Sequence, residues 1–373
     1  MKHTLYISSL LAACMLLFSC ASDNTVVPEN GTPEHASVNI SLSTGIVSSG
    51  AKSATRSTGV LPTDKGGTVG ANEGTLNHIC VGLFNTNDKL VTLYEYDYKG
   101  DEKVPTRTDA VKMLVFANVP TGAFVGKYTV SDFYTVAQDL GYTSSVDGKT
   151  KTGVTSFNSQ SMKSLPMMSD VQTLNWGSGT TLSPKVTLNR MVARVALTNI
   201  TYNFTGSYTG CTFAPTEIFM YNASNSLTNW NTKSVSGSVS GENIPANANT
   251  AYLGSGTISS FSSSSPYYFY VFPNSSTTVP TKLVIKGTFT TKSGTTYTTY
   301  YPITVNSSAT GNIISTVTGG TGDSKILSNT TYGLAVTISG TGVNSVSDEL
   351  TATNVTVTTS VDDYTNATIA EHF

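Results

Sequence analysis

Apolar side chains recur at every second position through most of this chain, and that spacing limits what it can build. In residues 36–47, Val38, Ile40, Leu42 and Ile46 alternate with Ser37, Asn39, Ser41 and Gly45, the period of a strand with one buried face. Near the other end, Val355, Val357 and Val361 lie in one phase with Thr359 between them. Asn354, Thr356, Thr358 and Ser360 lie in the other phase. The stretch "TLNHICVGLFN" is apolar on both faces and reads as a central strand. "KLVTLYEYDY", "AVKMLVFANVP", "YYFYVFP", "TKLVIKGTF", "TYTTYYPITV" and "TYGLAVTISGTG" are further strands between Ser-, Gly- and Asn-rich turns. "KVTLNRMVARVALTNITYNF" is one long strand or a bent pair. A single short helix is expected in "SDFYTVAQDLGY", where Phe133, Val136, Ala137 and Leu140 follow helical spacing, Ser131 caps and Gly141 terminates. The fold class is all-β, built as antiparallel sandwiches.

Charge excludes several functions. Only 12% of the 373 residues are charged and the net charge is −2, so neither nucleic acid nor an anionic membrane surface is an expected partner. The four histidines do not cluster and no CxxC pair occurs, leaving no case for a metal site. No GxSxG, HExxH, P-loop or GxGxxG is present. Ser49 and Lys52 have SxxK spacing, but they sit in a small-residue tract without partner motifs. Asp362 and Asp363 are neighbours whose side chains point to opposite faces of a strand. No enzyme activity and no cofactor is expected. Cys80 and Cys211 could form one disulfide, although the apolar run around Cys80 favours a free buried thiol.

The first nineteen residues read as an address. Lys2 and His3 precede a mostly apolar Leu5–Phe18 run, too short to be retained as a spanning helix. "LLFSC" resembles a bacterial lipobox, which makes Cys20 the expected lipidation site and residues 20–35 a flexible linker. The lipid would hold the precursor on the outer membrane. A first domain spans 36–183, with its first strand at 37–47 and a Gly/Ser/Thr-rich tract at 48–59. Ser183-Pro184 opens a second domain, 184–349, and a tail covers 350–373.

"LPMMSD", "VTLNRMVARVALTNI", "YYPITVN" and "NTTYGLAVTISGTG", in that order and with the lipobox and "FANVP", are similar to the fimbrillin family. These are the lipoprotein pilin subunits of Bacteroidales, also called type V pilins. The resemblance implies two transthyretin-like sandwiches in tandem. It also implies that strand 37–47 (Val38, Ile40, Leu42, Ile46) is removable, and that an Arg-specific protease cuts after Arg56. Lys52 is the fallback site; Arg107 lies inside the domain. The vacated groove would then accept a tail carrying Val355, Val357, Val361 and the aromatic Tyr364 from another subunit. The partners implied are further copies of the chain or other fimbrial subunits at the cell surface, in a polymer that supports adhesion and biofilm formation. Possession of both leader strand and tail favours a stalk subunit over a tip. The alternative is a tip or accessory adhesin that binds carbohydrate through exposed aromatics, although "YYFYVF" and "TYTTYY" are accounted for by cross-strand packing.

Overall fold

Strand periodicity governs the molecule. The structure, a computed structural model, describes residues 33–44, 63–64, 67–68, 73–139, 164–224, 226–243, 253–264, 266–308 and 312–363. Cys20, Ile46, Lys52, Arg56 and Tyr364 lie outside them.

The N-terminal half supplies β1 (His35–Thr44), a small hairpin of β2 (Thr63–Asp64) and β3 (Gly67–Thr68), then β4 (His78–Phe84), β5 (Leu90–Asp97), β6 (Glu102–Arg107) and β7 (Lys112–Ala117). Helix α1 (Val130–Tyr134) follows, then β8 (Gln138–Asp139), β9 (Met167–Ser169), β10 (Gln172–Thr173), β11 (Thr181–Leu182) and β12 (Lys185–Arg190). Nine of these strands form one sheet in the order β11-β1-β12-β9-β7-β4-β5, with β10 on β7 and β6 on β1. As its apolar run demands, β4 is buried at every position and central, between β5 and β7.

The C-terminal half supplies β13 (Ala193–Tyr202), β14 (Thr212–Tyr221), β15 (Ser226–Asn229), β16 (Ser234–Ser236), β17 (Tyr267–Val271), β18 (Lys282–Thr290) and β19 (Thr296–Thr304). It ends in β20 (Asn312–Thr318), β21 (Thr330–Ile338) and β22 (Thr351–Asp363). A five-stranded sheet, β17-β13-β21-β22-β20, and a three-stranded sheet, β14-β18-β19, make up most of this half. The 185–202 segment is the bent pair, broken at Met191-Val192. Strands β15 and β16 instead join β8 of the other half, and Trp230 just beyond β15 is fully buried against Phe116.

Helix α1 differs from the expected one. It starts two residues earlier, because Thr129 and Asp132 form a reciprocal cap: the Asp132 N–H donates to Thr129 Oγ1 at 3.1 Å, and the Thr129 N–H donates to Asp132 Oδ2 at 3.0 Å. Ser131 is therefore inside the helix rather than its cap. The helix also stops at Tyr134. The Tyr134 carbonyl accepts from the Trp230 N–H at 2.9 Å and the Val136 carbonyl from Trp230 Nε1 at 2.7 Å, and β8 pairs with β15. Tertiary pairing takes the carbonyls that further helical turns would have used. Val136 is buried, but Ala137 is exposed, and Leu140 and Gly141 fall outside the described residues. Phe133, the buried residue of α1, sits over Gly82, where a Cβ would meet its ring at 2.5 Å. Phe84, Phe116 and Phe124 complete this aromatic cluster.

Candidate functional site

The residues of β1 sit where one strand joins parts that otherwise do not pair. Along one edge, β1 runs antiparallel to β6 from His35↔Arg107 to Ile40↔Glu102. Along the other it runs parallel to β11 at Ser37↔Thr181 and Val38↔Leu182, then to β12 from Ser41↔Lys185 to Thr44↔Leu188. Strand β6 has no other ladder partner among the described residues. Val38 and Ile40 are fully buried, and Leu42 and Thr44 nearly so. The alternation at 37–44 thus fills a slot between β6 and β11–β12. Emptying that slot would leave two sheet edges without partners.

The tail is also a strand, and the structure places it in the chain's own sheet. Strand β22 pairs antiparallel with β21 from Thr330↔Asp363 to Ile338↔Val355, and parallel with β20. Val355, Val357 and Thr359 are buried, and Val361 is half-buried. Residues assigned to the two ends of the exchange are therefore brought into two different sheets of one chain.

Downstream of the 45–72 segment, the chain is pinned by a cluster of buried ionic groups that local patterns did not reveal. The Glu73 carboxylate accepts two bonds from Arg194 Nη1, at 2.8 and 2.7 Å, and one from the Tyr270 hydroxyl at 2.6 Å. Arg190 Nε donates to the Glu73 backbone carbonyl at 2.9 Å. Glu73, Arg190 and Arg194 are all buried. Burial is the strongest influence on the Glu73 carboxyl and raises its pKa, against the opposing effects of Arg194, Tyr270 and Arg190. The visible hint was two arginines within the apolar run "NRMVARVAL", since unpaired charges are rarely buried. The cluster joins the end of β12 to β13 and β17.

A second buried charge lies on β4. His78 sits 3.4 Å from Glu95 Oε2 through Nε2 and 3.4 Å from Asp97 Oδ1 through Nδ1. Burial alone favours the neutral ring, but bonding to these carboxylates and their charges outweigh it and raise the His78 pKa. The stabilisation this gives is complete below about pH 6.5, the value for an unfolded histidine, and fades as pH rises through the higher folded value. Melting temperatures of the parent and His78→Gln should therefore differ most near pH 6 and converge as the pH rises through the raised folded value. A gap that widened with pH would contradict this.

Other sequence expectations find their places here. Cys80 and Cys211 are both free thiols, and burial pushes the Cys80 thiol well above its ordinary pKa. In "YYFYVF", Tyr268, Phe269, Tyr270, Val271 and Phe272 are buried, as is Trp230, so these aromatics serve packing.

No family model matches the chain, and no curated protein does. Solved structures do. A Bacteroides eggerthii protein provisionally described as a cell adhesion protein shares 20% identity, with 90% of this chain and 98% of that one aligned and a TM-score of 0.62. A Parabacteroides distasonis protein similarly described shares 18% identity over 90% and 99% of the two chains, with a TM-score of 0.59. The fimbrilin of Porphyromonas gingivalis W83 shares 17% identity over 89% and 98%, with a TM-score of 0.58. The chain has the fold of these Bacteroidales proteins.

Proposed function

We propose that this chain is a structural subunit of a fimbrium, exported as a lipoprotein through Cys20 and displayed at the cell surface. It polymerises when a protease cuts after Arg56, β1 departs, and the C-terminal tail of another subunit fills the vacated slot. The single observation that carries this reading is the position of β1, the one ladder partner of β6 among the described residues. A strand with buried Val38, Ile40 and Leu42 is costly to lose unless another replaces it. Addition of a strand to two open edges gives affinity through main-chain pairing and register through alternate side-chain pockets. Arg56 lies in a tract of small residues, the composition at which proteases nick exposed chain. The fold shared with a fimbrilin supports the same reading. On this view the 36–183 and 184–349 segments are the two sandwiches, the first being the acceptor, the 350–373 tail is the donor, and adhesion and biofilm formation follow from the polymer. The chain carries no catalytic role.

One observation favours a second reading, in which the chain is a tip or accessory adhesin. Strand β22 is already paired on both edges, as expected of a subunit that donates nothing. Limited digestion of residues 21–373 with an Arg-specific protease separates the two. A stalk subunit gives one cut after Arg56, loss of the leader peptide and a ladder of multimers on non-boiled gels, all abolished by Arg56→Ala. A clean cut without multimers at high protein concentration supports the adhesin. Resistance at Arg56 in the native protein overturns the proposed cleavage.

A further inference from the structure

The strands at the two ends of the chain match residue by residue. Asn39-Ile40-Ser41-Leu42-Ser43-Thr44-Gly45-Ile46 lines up with Asn354-Val355-Thr356-Val357-Thr358-Thr359-Ser360-Val361. Asparagine and threonine recur in place at the first and sixth positions. Aliphatic meets aliphatic at three positions, hydroxyl meets hydroxyl at two more, and Gly45 meets the small Ser360. Period-two alternation alone requires none of this positional agreement.

Structure adds three correspondences. From Ile40 to Thr44 the residues are in turn buried, half-buried, buried, exposed and buried, and Val355 to Thr359 repeat that order. Each strand also lies between one antiparallel and one parallel neighbour: β6 and β12 for β1, β21 and β20 for β22. Thr44 and Thr359 are both buried, and neither hydroxyl has a hydrogen-bond partner among the described residues. The two strands share the senses of their neighbours, with β6 on β1 at 35–40 and β12 at 41–44, and with β21 and β20 both on β22 across 356–360.

Resting on the strand-exchange reading above, we infer the register and direction of the exchange: the tail of a second copy enters with Asn354 at the place of Asn39 and Thr359 at that of Thr44, running the same way as β1. Val355 then replaces Ile40 and Val357 replaces Leu42. Each is one methylene smaller, so the tail enters without overpacking. Thr353 falls at Val38 and shares its branched shape, but its hydroxyl is the one mismatch of this register at a buried aliphatic site. A slip of two residues keeps every side chain on its face but adds mismatches: one way puts Thr359 at Leu42 and Val361 at Thr44, the other puts Thr353 at Ile40 and Val357 at Thr44. The matched register keeps a threonine where the slot already holds one.

Disulfide trapping tests this, because a cross-link forms only between closely apposed positions. Ser43 of β1 lies opposite Thr187 of β12, so the register places Thr358 of the incoming tail opposite Thr187. Residues 21–373 are prepared with Cys211→Ser, Thr187→Cys and one tail cysteine; Cys80 is buried and stays. Ser43→Cys with Thr187→Cys should link within the uncut chain, which checks the geometry. After the Arg-specific cut, Thr358→Cys should give a ladder on boiled gels that reductant removes, and the ladder should be lost with Thr356→Cys or Ser360→Cys. Multimers linked instead through position 356 or 360 would overturn the register while leaving exchange standing. Absence of multimers on non-boiled gels in every variant, with the cut complete, would overturn the exchange reading and the register with it.

Discussion

Replacing Glu73 by alanine should lower the melting temperature by on the order of 10 °C. Removing one partner from a buried ion pair costs about 3–5 kcal/mol, because the remaining charge is stranded away from water, and each kcal/mol shifts the transition by roughly 2–4 °C in larger chains. Arg194 would lose the two bonds it makes to the carboxylate, and the Tyr270 hydroxyl its 2.6 Å acceptor. Glu73→Gln, which keeps the shape and one acceptor oxygen, should cost less. Combining Glu73→Ala with Arg194→Met should cost less than the two single changes added together, since the double change removes both charges. Differential scanning calorimetry of the parent and the four variants at neutral pH measures all of this. Additive losses, or a shift of only a degree or two for Glu73→Ala, would mean that the cluster contributes little.

The cluster also bears on the proposed cleavage. The chain leaves β1 at Thr44, beside Leu188, and downstream Glu73 is bonded to Arg190. Both ends of the proposed cleavage segment are thus fixed near the end of β12. On the proposed reading, a cut between them would remove the tether of β1, leaving it held by its ladders until another strand displaces it, without loosening the chain that leads into β4.

Trp230→Ala should be the other large loss, about 3–5 kcal/mol for deleting a buried indole. Its ring stands edge-on to Phe116 at 5.2 Å, and its two N–H groups hold the Tyr134 and Val136 carbonyls. Trp230→Phe separates the contributions. It keeps most of the apolar contact but leaves the Val136 carbonyl without its donor, which costs about 1–3 kcal/mol for a buried group. Chemical unfolding followed by circular dichroism ranks the parent, Phe and Ala proteins. Equal stability of the Phe variant and the parent would show that the Nε1 bond is dispensable. Because Trp230 lies in the C-terminal half and Phe116, Tyr134 and Val136 in the N-terminal half, the Ala variant should also unfold in two steps rather than one.

Much of the architecture was legible because strands announce their faces locally. Alternation identified the buried sides of β1 and β22, the unbroken apolar run marked β4 as central, and the 185–202 stretch was read as one strand or a bent pair. The charged cluster was visible only as two arginines in an apolar strand. Its partner Glu73 is more than a hundred positions away, and no local rule connects them. The helix was placed in the correct segment but begun and ended wrongly. Thr129 and Asp132 outcompeted Ser131 for the cap, and Trp230 took the carbonyls beyond Tyr134.

The amino-acid order fixes which side chains of a strand face inward, because backbone geometry imposes a period of two on every strand whatever lies beside it. It does not fix the neighbours. Ladder bonds are made by main-chain groups that every residue carries, so pairing is chosen by the packing of whole faces. That choice put β1 between β6 and β12 rather than at the edge of a sheet, and laid β22 between β21 and β20 in the same chain. The alternation of Val355, Val357 and Val361 would look the same inside the chain's own sheet or inside a neighbour's, since both would offer one apolar face to be covered.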